Sequence, residues 1–158
     1  DKEAAERLLK NVGNDVRRLS HELIPPRFDN ASLSELVCTY CQSMSAENGT
    51  IVKPFVSRSF EKLNLPSRTA LEVYRIVQES VSNAIKYGYS KMITVTLDAS
   101  NNQASLCIAN DISREHPITQ GKMGIGKDTL KMRTEALKAI LTISEQDEEY
   151  KVEVRFPL

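Results

Sequence analysis

The chain has 158 residues, of which 41% are apolar, and its 21 basic and 21 acidic side chains give a formal net charge of zero at pH 7. This length suits one globular domain with its own core. The balanced charge argues against a nucleic-acid partner, which would select a basic protein. The three cysteines, Cys38, Cys41 and Cys107, are too few for a disulfide framework. Cys38 and Cys41 fall on the apolar stripe of a predicted helix, so we expect them to pack in the core rather than to bind metal.

The first predicted element is a helix over residues 3–23. Its apolar side chains recur at alternating spacings of four and three residues, at Ala5, Leu9, Val12, Val16, Leu19 and Leu23. This heptad pattern is typical of a helix that packs against partner helices, and Pro25-Pro26 ends it. Because the chain starts without Met and already in helical phase, we expect a fragment of a longer protein.

The later elements follow in chain order. Ser32 and Glu35 form a capping box that opens a second helix, which runs to about Ala46 before Asn48-Gly49. The pattern then predicts a strand over 51–60 that Pro54 restricts to a sheet edge, a long helix over 67–87, a hairpin over 92–99 and 104–109, a glycine-rich loop over 111–126, a short helix over 128–139 and a closing hairpin over 140–144 and 150–156. Hairpins exclude an all-parallel sheet. We therefore predict an α/β fold: a two-layer sandwich of a mixed sheet with helices on one face, preceded by the heptad helix.

The long helix carries the first candidate site. Glu79, Asn83 and Lys86 are spaced i, i+4 and i+7, so they point the same way. Carboxylate and amide oxygens suit a hydrated Mg²⁺, and Lys86 supplies a cation for phosphate oxygens. The alternative is an ordinary solvated polar face on a helix that packs on the sheet.

Two further segments are candidates for ligand contact. Gly124-Ile125-Gly126 precedes a predicted helix, where exposed backbone N–H groups favour phosphates. Asn110-Asp111 ends a predicted strand, where a polar side chain could form a hydrogen bond with a heterocyclic ring. Each has a simpler alternative, which is a flexible hinge for the glycines and a turn for Asn110-Asp111.

Taken in order, these segments resemble the ATP-binding catalytic domain of sensor histidine kinases, in the superfamily that also contains gyrase, heat-shock chaperones and mismatch-repair ATPases. Residues 74–87 (YRIVQESVSNAIKY) resemble the family's N box, 106–113 its adenine-recognition box and 123–126 its glycine box, with 135–137 and 141–143 matching the sequence that follows. Residues 16–25 (VRRLSHELIP) resemble the end of the second dimerisation helix in the nitrate-sensor-like subfamily. The resemblance covers nearly the whole chain and implies a Bergerat-type ATP-binding fold.

The resemblance implies a role for each matching residue. Asn83 would coordinate Mg²⁺, Glu79 would support the metal and activate the attacking group, and Lys86 would contact phosphate. Tyr87 would flank the adenine, and Asn110 would accept a hydrogen bond from it, with Asp111 as the alternative acceptor one residue on. Gly124 and Gly126 would let a lid over residues 112–126 close on the phosphates.

Some positions depart from the family pattern. The adenine box usually reads Asp, then Asn or Asp, then Gly, whereas this chain has Asn110-Asp111-Ile112, and Lys138-Ala139 replaces the usual Gly-Gly. These departures favour the alternative of a degenerate, non-catalytic module that regulates a partner. Another enzyme of the superfamily, such as an anti-sigma-factor serine kinase or a hydrolytic ATPase, is a further alternative, against which the heptad helix argues.

The expected function is that of the catalytic portion of a protein-histidine kinase that uses ATP and Mg²⁺. Residues 1–26 would be the remnant of the dimerisation helix and residues 27–158 the ATP-binding domain. The γ-phosphate would pass to a histidine on an upstream helix, because His21 sits where the subfamily is not phosphorylated and His116 fits a surface position. The parent protein would be a homodimeric, membrane-anchored sensor with this domain in the cytoplasm and a response regulator as partner.

Overall fold

The computed structural model describes residues 1–23, 28–87, 90–112 and 124–158, and for residues 17, 18, 20–23 and 124–126 it describes the backbone alone. The helices are α1 Lys2–Leu23, α2 Leu33–Asn48, α3 Arg58–Glu61, α4 Ser67–Tyr87 and α5 Gly124–Ala136. The strands are β1 Ile51–Val56, β2 Met92–Ser100, β3 Gln103–Asp111, β4 Ile140–Gln146 and β5 Glu149–Pro157.

The strands form one mixed sheet in the order β1-β2-β3-β5-β4. β1 runs parallel to β2, and the other neighbours are antiparallel. β1 lies at the edge, as Pro54 predicts, since a residue without an N–H group is tolerated where one side of the strand has no partner. The final hairpin inserts β5 beside β3 and leaves β4 at the other edge. The predicted mixed sheet is therefore confirmed.

The helices pack on one face of this sheet. Along β2, the side chains of Ile93, Val95 and Leu97 are fully buried, whereas Thr94 and Thr96 between them are only partly buried. β5 alternates in the same way, with Val152, Val154 and Phe156 buried as predicted. This alternation puts one face of the sheet against α2 and α4 and leaves the other toward solvent. The predicted two-layer sandwich is confirmed.

The predicted capping box of α2 is present. The Ser32 side-chain oxygen accepts from the Glu35 backbone N–H at 3.2 Å, and the Glu35 carboxylate accepts from the Ser32 N–H at 2.8 Å. Gly49 ends the helix with φ 68°, a left-handed conformation that glycine adopts without strain. On the same helix Cys41 is fully buried, so its predicted core packing is confirmed, and Cys38 is half-buried.

The predicted boundaries of three elements need correction. β1 ends at Val56, because Ser57 caps the short helix α3 by accepting from the Phe60 N–H at 3.2 Å and Phe60 packs into the core. β3 continues through Asp111, since β5 offers pairing partners up to its end. α5 begins at Gly124 instead of residue 128 and ends at Ala136 instead of residue 139, so the two candidate glycines lie in its first turn. Packing of Leu130 against the core outweighs their low helix propensity.

The heptad helix α1 forms as predicted, and its apolar seam is exposed. The exposed fractions of Leu9, Val12, Val16 and Leu19 are 71%, 50%, 58% and 48%. This seam finds no cover among the residues that the structure describes. None of the described helices combines the length and apolar character required to cross a bilayer.

Candidate functional site

One side of α4 lines a polar cleft of about 320 Å³. The predicted residues Glu79, Asn83 and Lys86 all line it, so the structure brings these three together on one helix face. The remaining lining residues are Arg75, Gln78 and Ser82 from α4 and Arg133 from α5. The opposite side of α4 is the predicted apolar face, with Ala70, Tyr74, Val77, Val81 and Ala84 buried.

The charges around this cleft favour an anionic ligand. Arg75, Lys86 and Arg133 bring positive charge to its wall, against the single carboxylate of Glu79 among the lining residues. A local excess of positive charge attracts a polyanion to the cleft even though the chain has zero net charge. The composition of the chain does not reveal this local excess of positive charge.

The cleft also offers oxygen ligands, from the Glu79 carboxylate and the Asn83 amide, both half-buried. In the described ranges, no group of three or more His, Cys, Asp or Glu side chains is placed to hold a metal ion. A Mg²⁺ ion with one or two protein ligands takes its other ligands from phosphates and water, which is its usual coordination in phosphate-binding sites. The donor set therefore fits Mg²⁺ together with a phosphate ligand, not a metal held by the protein alone.

Two arginines that the sequence analysis did not assign as site residues complete the cleft wall. Arg75 Nη1 donates to Gln78 Oε1 at 2.9 Å, and Gln78 is 5% exposed. Arg133 Nη1 lies 3.1 Å from Glu72 Oε2, an ion pair that joins α5 to α4. Arg75 was recognisable on the polar face of α4. Arg133 reaches the cleft only through helix packing, and no sequence signal pointed to it.

Asn110 lies on the helix side of the sheet. It is 4% exposed, on the same face of β3 as the buried Leu106 and Ile108, and it pairs with Tyr150 of β5. Its Nδ2 group donates to the Asp111 carbonyl at 3.1 Å. The strand therefore delivers Asn110, the predicted adenine acceptor, to the layer that contains α4.

Asp111 lies on the opposite face and is exposed. Its carboxylate accepts hydrogen bonds from the backbone N–H groups of Lys91 and Met92, both at 3.1 Å. This side chain thus ties the end of β3 to the start of β2. The structure does not bring Asp111 to the helix side, because successive residues of a strand point to opposite faces.

A second, much smaller cavity of about 10 Å³ lies beside the cleft, and Asn83 lines both. Ser80 and Ala84 of α4, Lys127 and Leu130 of α5, and Tyr150 and Val152 of β5 complete its wall. The Ser80 hydroxyl is buried and has no hydrogen-bond partner in the described ranges. Since Tyr150 is the register partner of Asn110, the cavity extends the site from the cleft toward the end of β3.

The remaining predicted residues lie around these two spaces. Tyr87, the last residue of α4, is half-buried and packs against the core. Gly124 and Gly126 lie in the first turn of α5. The predicted lid lies mostly outside the described residues, as does His116, and no side chain is described for His21.

Fold and site together define a class: a two-layer α/β sandwich in which a long helix and a later helix line a polar, cationic cleft, and the end of a central strand lies on the same side of the sheet. No protein-family model matches the chain. The histidine kinase domain of a blue-light-activated kinase from Erythrobacter litoralis aligns with a TM-score of 0.64 at 16% identity, covering 80% of this chain and 61% of that one. The full-length ShkA structure in complex with AMPPNP aligns with a TM-score of 0.58 at 14% identity, covering 98% and 36%.

Curated sequences are consistent with this fold. The sensor histidine kinase MctS of Rhizobium johnstonii is 24% identical over 142 residues, which is 88% of this chain and 30% of the relative. The oxygen sensor histidine kinase NreB of Staphylococcus carnosus is 30% identical over 97 residues, or 61% of this chain and 27% of the relative. The chain thus spans less than a third of either relative. These matches confirm the resemblance to sensor histidine kinases and assign the fold to that of their catalytic domains.

Proposed function

We propose that the cleft on α4 binds ATP with Mg²⁺ and that the chain is the catalytic portion of a sensor histidine kinase. The observation that carries the proposal is the convergence of Glu79, Asn83 and Lys86 on one cleft, with Asn110 on the same side of the sheet. The phosphates, the metal ion and the base of the nucleotide would each meet a suitable side chain among these residues. Similarity to proteins named sensor histidine kinases, and to a kinase structure that contains AMPPNP, supports it.

Each residue of α4 has a distinct task in this proposal. Lys86 lies at the exposed end of the cleft and would bind phosphate oxygens as a mobile point charge. Asn83 and Glu79, one helical turn apart, would hold Mg²⁺, which when bound offsets phosphate charge. Glu79 would also orient the attacking imidazole. Because the transfer of a phosphoryl group requires little from the protein beyond positioning and charge stabilisation, these groups suffice for the chemistry.

The base would lie toward the small cavity. Asn110 would accept from the exocyclic amino group of adenine through its amide oxygen, while its Nδ2 group stays bonded to the Asp111 carbonyl. Tyr87 would flank the ring. Gly124 and Gly126, in the first turn of α5, would let the backbone approach the phosphates closely.

In the parent protein, residues 1–26 would belong to the dimerisation helix and residues 27–158 to the ATP-binding domain. The exposed seam of α1 supports this division, because apolar heptad positions are covered when two helices associate. The acceptor histidine would lie on an upstream helix of a homodimeric, membrane-anchored sensor with this domain in the cytoplasm. A response regulator would take the phosphoryl group onward.

Calorimetric titration with ATP, with and without Mg²⁺, tests the proposal. We expect saturable, Mg²⁺-dependent binding by the wild type and no detectable Mg·ATP binding by Asn83→Ala, whose thermal unfolding should stay close to wild type because Asn83 lies off the apolar face. Asn64→Ala, an exposed asparagine outside the cleft, is the matched control. Wild-type affinity in Asn83→Ala would refute the metal assignment. Absence of binding at millimolar ATP in the wild type would refute the proposed function and favour a non-catalytic module.

A further inference from the structure

The ion pair between Glu72 and Arg133 forms part of the wall of the cleft. Arg133 Nη1 lies 3.1 Å from Glu72 Oε2, and the side chains are 30% and 23% exposed. The two residues are 61 positions apart, one on α4 and one on α5. Arg133 lines the cleft with Glu79, Asn83 and Lys86, but Glu72 does not. Arg133 therefore contacts its carboxylate partner and also lines the cleft that contains the proposed phosphate site.

Arg133 does not use all of its hydrogen-bond donors in this position. Its Nε–H group is buried and donates no hydrogen bond to any part of the chain that the structure describes. A guanidinium carries five N–H donors in a planar fork, a shape that matches two oxygens of a carboxylate or of a phosphate. A buried donor without an acceptor is costly, and this cost favours a rearrangement of the guanidinium that gives the donor an acceptor.

The ion pair itself contributes little to the stability of the fold. Both side chains retain contact with water, and partly exposed ion pairs contribute little because solvent screens them. A polyphosphate in the cleft offers more negative charge and more acceptor oxygens than the Glu72 carboxylate. A polyphosphate in the cleft would therefore compete with Glu72 for the Arg133 guanidinium, and the charges of Arg75 and Lys86 would favour the polyphosphate.

We propose that Arg133 is a phosphate-contacting residue of this cleft, which releases Glu72 and donates its guanidinium N–H groups to the polyphosphate of the ligand. The inference rests on the proposed function for the identity of the nucleotide, though not for the presence of a polyphosphate. It makes the docking of α5 on α4 sensitive to the ligand, because the same side chain serves both. Glu72 then acts as an internal competitor that lowers affinity for phosphate.

Binding to Arg133→Gln tests this directly, with ATP, adenosine and inorganic tripolyphosphate as the three probes. We expect affinity for ATP and tripolyphosphate to fall about tenfold or more, the usual effect of losing a charge-assisted hydrogen bond, with affinity for adenosine unchanged. Lys131→Gln is the matched control, since it removes one positive charge from the exposed side of the same helix and does not line the cleft. It should bind all three probes like the wild type.

Glu72→Gln should change the affinity for polyphosphate in the opposite direction, which distinguishes a phosphate contact from a purely structural role of the ion pair. Removing the competing carboxylate should raise affinity for tripolyphosphate by about two- to fivefold, whereas loss of a structural link between α4 and α5 would lower it. Equal polyphosphate affinity in Arg133→Gln and wild type, or reduced affinity in Glu72→Gln, overturns the inference while wild-type ATP binding preserves the proposed function. Tripolyphosphate binding that depends on Arg133, with no ATP binding, supports the inference and overturns the proposed function. Binding of neither probe by the wild type overturns both.

Discussion

Replacement of Asn110 and of Asp111 by alanine should have separable effects. Asn110 is 4% exposed and lies on the helix side of β3, where the base would bind. Asp111 lies on the other face, and its carboxylate accepts from the Lys91 and Met92 N–H groups at 3.1 Å each. We expect Asn110→Ala to weaken nucleotide binding and Asp111→Ala to weaken the sheet end instead.

The magnitudes follow from the hydrogen bonds at stake. Loss of the Asn110 amide removes one bond to the base and leaves a desolvated amino group without a partner, which costs about 1–2 kcal/mol, or about five- to thirtyfold in affinity. Loss of the Asp111 carboxylate exposes two backbone N–H groups that water can reach. We therefore expect about 1 kcal/mol of lost stability, a fall of about 2–4 °C in Tm, and little change in ATP affinity.

Two assays on the same variants separate the outcomes: calorimetric titration with ATP, and thermal unfolding without ligand. Asn110→Asp is the conservative control, because it keeps an acceptor oxygen at the position where the resembled family usually has aspartate, and it should retain binding. If Asp111→Ala weakened ATP binding more than Asn110→Ala did, the assignment of the base contact to the buried face would be refuted.

The other expectations concern the core. Leu106→Ala, at a fully buried position of β3, should lower the free energy of unfolding by about 2–5 kcal/mol, as measured by urea denaturation. Leu158→Ala, at a 51% exposed position, is the control and should change it by less than about 0.5 kcal/mol. Similar losses of stability in the two variants would mean that β3 is not central to the core. Burial raises the pKa of Cys41 to about 12, so this thiol should resist alkylation at pH 8 until the protein unfolds. Since the unfolded thiol ionises at about pH 8.5, stability should fall as pH rises from there toward 12, and Cys41→Ala should lessen that slope; rapid alkylation of the folded protein would contradict the burial.

Local sequence determined the elements and the faces they present. The helical period placed Glu79, Asn83 and Lys86 on one side of α4 without any knowledge of its neighbours, because residues i, i+4 and i+7 share a face in every α-helix. The alternation in β2 and β5, the Ser32–Glu35 cap and the Gly49 stop are likewise local effects. Their outcome depends on backbone geometry within a few residues, so they were predictable.

Tertiary structure decided what depends on residues far apart in the chain. The sequence left Asn110 and Asp111 as alternatives, and only the pairing of β3 with β2 and β5 shows which of them faces the helices. Arg133 lines the cleft because α5 packs on α4, a contact between residues 61 positions apart that no local pattern encodes. The periodic pattern of residues within one helix or strand carries no information about which elements pack together. The cationic wall of the cleft was therefore visible only in the tertiary structure.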